Sequence, residues 1–143
     1  MSEPSAKRKR TLALHDRAIR FSTNVNDCCP KHFSSPPSET VWTNLVRAAD
    51  STSNNLIEAD DASSDADFLA KMRIALREAK ESRVGLLKLR VSNLDHYANT
   101  ARLELESEAT QLSAIFAAII RNMCARLESE RLRKDQKAKR KRA

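Results

Sequence analysis

A chain of 143 residues that is 41% hydrophobic can bury one core and has little left for a second domain. Gly85 is its only glycine and Pro37 the last of its four prolines, so the 106 residues that follow carry no proline, which argues against a turn-rich β fold and predicts an all-α chain. The net charge of +7 sits at the ends: residues 1–10 hold four cations and one acid, residues 131–143 hold eight cations and one acid, and the 120 residues between them are left at −3.

No apolar run reaches the roughly 18 residues that a membrane span needs, and the N-terminus lacks the apolar segment of a secretory signal, so a cytoplasmic protein that does not enter membranes is expected. Cys28, Cys29 and Cys124 are odd in number and lack metal-ligand spacing. They are expected to be packed thiols, with no disulfide framework, metal or other cofactor.

Both ends carry the pentapeptide Ala-Lys-Arg-Lys-Arg, at 6–10 and 138–142. The division expected is a basic tail over 1–10, a four-helix bundle over 11–130 and a basic tail over 131–143. Clustered cations of this kind release counterions from a phosphate backbone without reading sequence. Solubilising tails and an import signal have the same composition.

From Thr11, taken as the N-cap, Leu14, Ala18, Phe21, Val25 and Cys28 recur at steps of three and four, predicting an amphipathic first helix that ends near Pro30. His15 and His32 read as surface or loop residues. Residues 30–37 form a proline-rich connection, with Phe33 expected between helix ends. Ser38 is the expected cap of a second helix with Glu39 in its first turn and Val41, Trp42, Leu45, Ala49, Leu56 and Ile57 on its core face. Its seam of Ala48, Ala49, Ser51 and Ser53 has few bulky side chains, so a neighbour can approach closely.

Ser64, with Asp67 three residues on, fits the start of a third helix whose core face is Phe68, Met72, Ala75, Ala79, Leu86 and Leu89. Gly85 suggests a close helix contact. Arg73, Arg77, Lys80 and Arg83 are read as a local positive face, with Glu78 and Glu81 among the solvated charges. A break at Ser92–His96 precedes the longest helix, with a seam of Tyr97, Ala101, Leu105, Leu112, Phe116, Ile119 and Met123, expected to fade near Lys137. The wide apolar side around Ile115, Phe116, Ile119 and Ile120 suits either a four-helix core or a core plus a subunit interface.

The run Leu45–Glu58, followed by Ser64–Phe68 and Ile74–Ala75, resembles the bacterial four-helix-bundle family encoded in ribosomal RNA intervening sequences. That family includes the accessory variability protein of diversity-generating retroelements. The likeness spans about residues 12–125. Arg47, Ala48, Ala49, Ser51, Asn55 and Glu58 match the family's central motif, and Glu81-Ser82-Arg83 its third-helix signature. Ser53 stands where proline is usual, Ala59 where glycine is, and Leu14 where the first helix has tryptophan. The resemblance implies an antiparallel four-helix bundle, a ring-shaped homopentamer and a reverse transcriptase as partner, and it carries no catalytic residues.

The function expected is that of a non-enzymatic, oligomeric nucleic-acid-binding protein. RNA or DNA phosphates would be held by Lys7, Arg8, Lys9, Arg10, Arg73, Arg77, Lys80, Arg83, Arg131, Arg133, Lys134, Lys137, Lys139, Arg140, Lys141 and Arg142. The alternative is a protein-binding assembly scaffold encoded in a ribosomal RNA intervening sequence, with tails that serve only solubility. An enzyme is not expected, because His15, His32 and His96 are scattered with no paired nucleophile.

Overall fold

The structure, a computed structural model, describes residues 2–89 and 96–143. Within them lie four helices, α1 (Ala6–Cys28), α2 (Pro36–Asp60), α3 (Asp65–Lys88) and α4 (His96–Arg142), and no strand. Consecutive helices are neighbours and α4 closes back lightly on α1, which gives an antiparallel bundle. Of the break expected at Ser92–His96, residues 92–95 lie outside the described residues, and His96 opens α4.

The caps correct two of the expected boundaries. α1 begins after Ser5, whose hydroxyl accepts the Arg8 backbone N–H at 3.2 Å, rather than after Thr11, whose hydroxyl instead donates to the Lys7 carbonyl inside the helix. Apart from Ala6, the first turn of α1 is polar, so apolar periodicity does not reveal it, although alanine, lysine and arginine are good helix formers. α2 likewise begins after Ser35 rather than Ser38. The Ser35 hydroxyl accepts the Ser38 N–H, and Pro36 and Pro37 occupy the first turn, where a missing N–H costs nothing. Ser64 caps α3 as expected, accepting from Asp67 N–H at 3.1 Å.

The core is continuous: Ala18, Phe21 and Val25 of α1, Trp42, Leu45, Ala49 and Leu56 of α2, Met72, Ala75, Ala79 and Leu86 of α3, and Leu105, Ala109, Leu112 and Phe116 of α4. Phe33 packs against it from the loop. Cys28 does not join it: as the last residue of α1 it is exposed. Cys29 is half-buried and packs against the core, as expected of a packed thiol, and Cys124 is half-buried. His15 departs the other way. It is buried at 9% exposure, with Nε2 3.9 Å from Asp60.

The α2–α3 contact is the tightest in the bundle. A methyl group at Gly85 would lie 3.3 Å from Leu45 Cβ, so the absent side chain is what lets the two helices meet there. Beside it, Arg47 reaches across to Glu78 at 3.2 Å and Glu81 at 2.9 Å. Glu78 is 6% exposed and is not the solvated charge expected. Both carboxylates hold the Arg47 guanidinium's pKa above its ordinary value, the hydrogen bond to Glu81 most of all. Ala48 and Ala49 are buried in the same seam, Asn55 donates to the Ser51 carbonyl, and Glu58 pairs with Lys71 of α3 at 2.8 Å. The six motif residues thus build or brace α2 against α3.

α4 outruns its partners. Its 47 residues extend about 70 Å, against about 38 Å for the 25 of α2. Leu127 is its last half-buried residue, and every residue from Glu128 onward is exposed. The helix does not fade near Lys137 but continues to Arg142. Arg131 bridges Glu128 and Asp135 one turn to either side, and Lys139 to Arg142 lie at the negative end of the helix dipole.

Two substitutions test this seam by thermal unfolding. Gly85→Leu forces a branched side chain against Leu45 and is expected to cost about 1–3 kcal/mol, seen as a lower Tm. Arg47→Ala strips the buried Glu78 carboxylate of its counter-ion and is expected to cost about 1–2 kcal/mol, the lower figure reflecting solvent screening of the half-exposed arginine. Adding Glu78→Gln should recover most of that loss, and an unchanged Tm for Arg47→Ala would make this pair ornamental.

Candidate nucleic-acid interface

Three groups of cations are set out by the bundle. The first lies in the opening turns of α1. Lys7, Arg8, Lys9 and Arg10 are all exposed, but they belong to a helix and not to a tail. Arg8 is committed to Asp60 at the end of α2, and Lys9 pairs with Glu3 at 3.1 Å. Lys7 and Arg10 have no ion-pair partner among the described residues and are available to a phosphate.

The second group is the exposed end of α4. Among the described residues, Arg133, Lys134, Lys137, Lys139, Arg140, Lys141 and Arg142 carry no ion pair, while Arg131 is held by Glu128 and Asp135. The hydrogen bond to Arg131 lowers the Glu128 pKa and raises that of Arg131, so that pair stays charged.

Topology brings these two groups to one end of the molecule. The Arg8–Asp60 pair sets the start of α1 beside the end of α2, and Arg126 reaches Asp65 at the start of α3 across 3.4 Å. A cavity of about 500 Å³ lies among them, with Lys7, His15, Asp60 and Arg126 among its polar groups and Leu14, Leu56, Phe68, Met72 and Ile119 among its apolar walls. Because α4 passes this end before it leaves the bundle, the two copies of the pentapeptide, 132 residues apart in sequence, lie toward the same end.

The third group lines a groove of about 740 Å³ between α2 and α3. Arg73, Arg77, Lys80 and Lys88 stand along it at helical spacing, above an apolar floor that includes Val41, Leu45 and Leu76. Arg83 is exposed but does not line the groove, so the positive face read from sequence divides. Lys88 takes the place expected for Arg83, and the i, i+3, i+4 spacing from Arg73 would have found it. Arg126 was missed as well, because its role depends on where α3 begins.

Among the described residues no three His, Cys, Asp or Glu side chains are grouped to hold a metal ion, and no helix is long and apolar enough to cross a membrane. Partial burial, with Asp27 adding, pushes the Cys28 thiol pKa up, and burial does the same to Cys29, which is the reverse of an activated nucleophile.

No protein-family model and no curated protein sequence matches the chain. Among solved structures it is similar to a protein of unknown function from the S23 ribosomal protein family of Bacteroides thetaiotaomicron VPI-5482, with a TM-score of 0.61 and 24% identity. The alignment covers 97% of that protein and 75% of this chain, so nearly the whole of the solved protein lies within this one. At this identity the likeness is one of fold: it supports the helical architecture that the Arg47–Glu58 run implies, and goes no further toward the intervening-sequence and retroelement family.

Proposed function

We propose that this chain is a non-enzymatic, oligomeric nucleic-acid-binding protein that holds RNA or DNA by its phosphates. The observation that carries this reading is the convergence of the α1 and α4 basic runs on one end of a bundle whose body is net negative. Unpaired, exposed cations displace condensed counterions at little structural cost, whereas Arg8, Arg47 and Arg126 are engaged in bracing helices. The half-exposed Ile115, Ile119 and Ile120 of α4 supply apolar area for contact between copies, and several copies would add their weak phosphate contacts into avidity. The family resemblance extends the proposal to a homopentameric ring acting with a reverse transcriptase in a diversity-generating retroelement.

The test is a fluorescence-anisotropy titration at several salt concentrations, with the assembly mass read by light scattering. Removing residues 131–143 and changing Lys7 and Arg10 to glutamine leaves every buried side chain and the Arg8–Asp60 pair in place. Melting temperature should hold, while affinity falls for unrelated sequences and the salt slope on duplex DNA flattens by about 0.9 for each phosphate that the protein no longer neutralises. Equal affinities and slopes for the two proteins would instead favour a scaffold with solubilising ends, for which the apolar side of α4 would be the docking surface.

A further inference from the structure

The basic end of α4 has a property that a patch for a flat surface does not need. Residues 128–142 are helical and exposed throughout, so none of them is buried against another helix, and the segment runs about 22 Å along the helix axis. At 3.6 residues per turn, Arg142 falls on one side of the helix, beside an Arg131 that Glu128 and Asp135 already hold, and Arg133 and Arg140 fall on the opposite side. Lys139 and Lys141 take the two sides between. A helix resting on a single strand of phosphates, or on an acidic protein face, uses the cations of one side and leaves the rest in water.

Positive charge on all sides suits a site with phosphates on both flanks. The major groove of B-form DNA is such a site: at about 12 Å wide it admits an α-helix, whose diameter with side chains is about 10–12 Å, between two phosphate backbones. The minor groove, at about 6 Å, is too narrow, and the deep, narrow major groove of A-form RNA excludes the helix. A continuous helix entering the major groove from a helical body is also how dimeric basic-region proteins dock. At the root of the projection, Lys7 of α1 lines the same cavity as Arg126 and is placed to meet a flanking phosphate.

We propose that the end of α4 from Glu128 to Arg142 binds B-form duplex DNA by lying in its major groove, with affinity drawn from phosphates on both sides. The proposal rests on the nucleic-acid reading above and narrows it to one partner. Helical form, and not charge alone, is then required. Gln136→Pro separates the two, because it keeps every charge yet removes a backbone donor and breaks the helix in the middle of the projection, where no packing is disturbed.

The experiment measures anisotropy of the full chain and of Gln136→Pro against a 20-base-pair DNA duplex, the same sequence as duplex RNA, and single-stranded DNA, at one salt concentration. Circular dichroism and melting temperature serve as controls on the bundle. The full chain is expected to favour duplex DNA over duplex RNA by about tenfold or more, and the proline variant to lose about tenfold on duplex DNA while keeping its affinity for the single strand. Glucosylated cytosines, which fill the major groove, should weaken binding, and netropsin in the minor groove should not. Equal affinity for both duplexes, or a proline variant that binds duplex DNA as the parent does, overturns the groove model while leaving phosphate binding in place. Failure to bind any of the three nucleic acids rejects the underlying reading as well.

Discussion

The close approach of α2 and α3 is the constraint on which the rest of the molecule depends. With Gly85 set against Leu45, the facing positions must be small, and Ala48, Ala49, Ala75 and Ala79 are all buried at 1% exposure or less. The polar pair that accompanies this seam is made at its edge, where Arg47 keeps half its surface in water while neutralising Glu78. The arrangement resolves a conflict. A buried carboxylate is costly alone, but an arginine reaching in from the rim supplies the charge without being desolvated itself. α1 and α4 then pack on a fixed pair, tied by Ser22 to Asp50, Arg8 to Asp60 and Arg102 to the Leu86 carbonyl.

That seam also governs which cations are free. Arg47 faces the same groove as Arg73, Arg77 and Lys80, yet it is spent on Glu78 and Glu81, whereas Arg77, Lys80 and Lys88 have no ion-pair partner among the described residues. Charge counted along the sequence makes no such distinction. The fold sorts arginines of equal formal charge into braces and contacts, and the criterion is whether a carboxylate on a neighbouring helix lies within reach.

Much of the architecture was legible in the sequence because helical periodicity is a local property. The faces built from Phe21 and Val25, from Trp42, Leu45 and Leu56, and from Met72, Ala75 and Leu86 are all in the core, and Gly85 marked a close contact before its partner was known. Errors clustered where local pattern and tertiary placement diverge. The cap at Ser5 was missed because the residues after it are polar, and a helix start is hard to see without an apolar stripe. His15 lies next to Leu14 on the first turn of that stripe, but its burial depends on Asp60 and on the apolar walls contributed by three other helices. Glu78 looked like one of many solvated acids until α2 placed Arg47 over it. The convergence of the two basic ends is of the same kind, since only an antiparallel bundle with a long fourth helix brings residue 7 and residue 126 to one cavity.

The same pentapeptide meets opposite fields at its two locations, and the contrast bears on why it is there. At the end of α4 the cations oppose the negative pole of the helix dipole and stabilise the helix locally. At the start of α1 they face the positive pole with no acid in the first turn, whereas α3, which begins at the same end, opens with Asp65 and Asp67. Cations at a helix start are unfavourable by about 0.3–1 kcal/mol each at low ionic strength. Arg8 recovers this through Asp60 at the negative end of α2, and Lys9 partly through Glu3, but Lys7 and Arg10 have no such compensation among the described residues. Folding alone therefore gives no reason for a second copy of the run in this position. An anion does: a helix N-terminus with unpaired lysine and arginine beside it is improved by a phosphate, which answers the dipole and both side chains together. The N-terminal copy thus fits the phosphate contact proposed above better than a role in holding the helices in place.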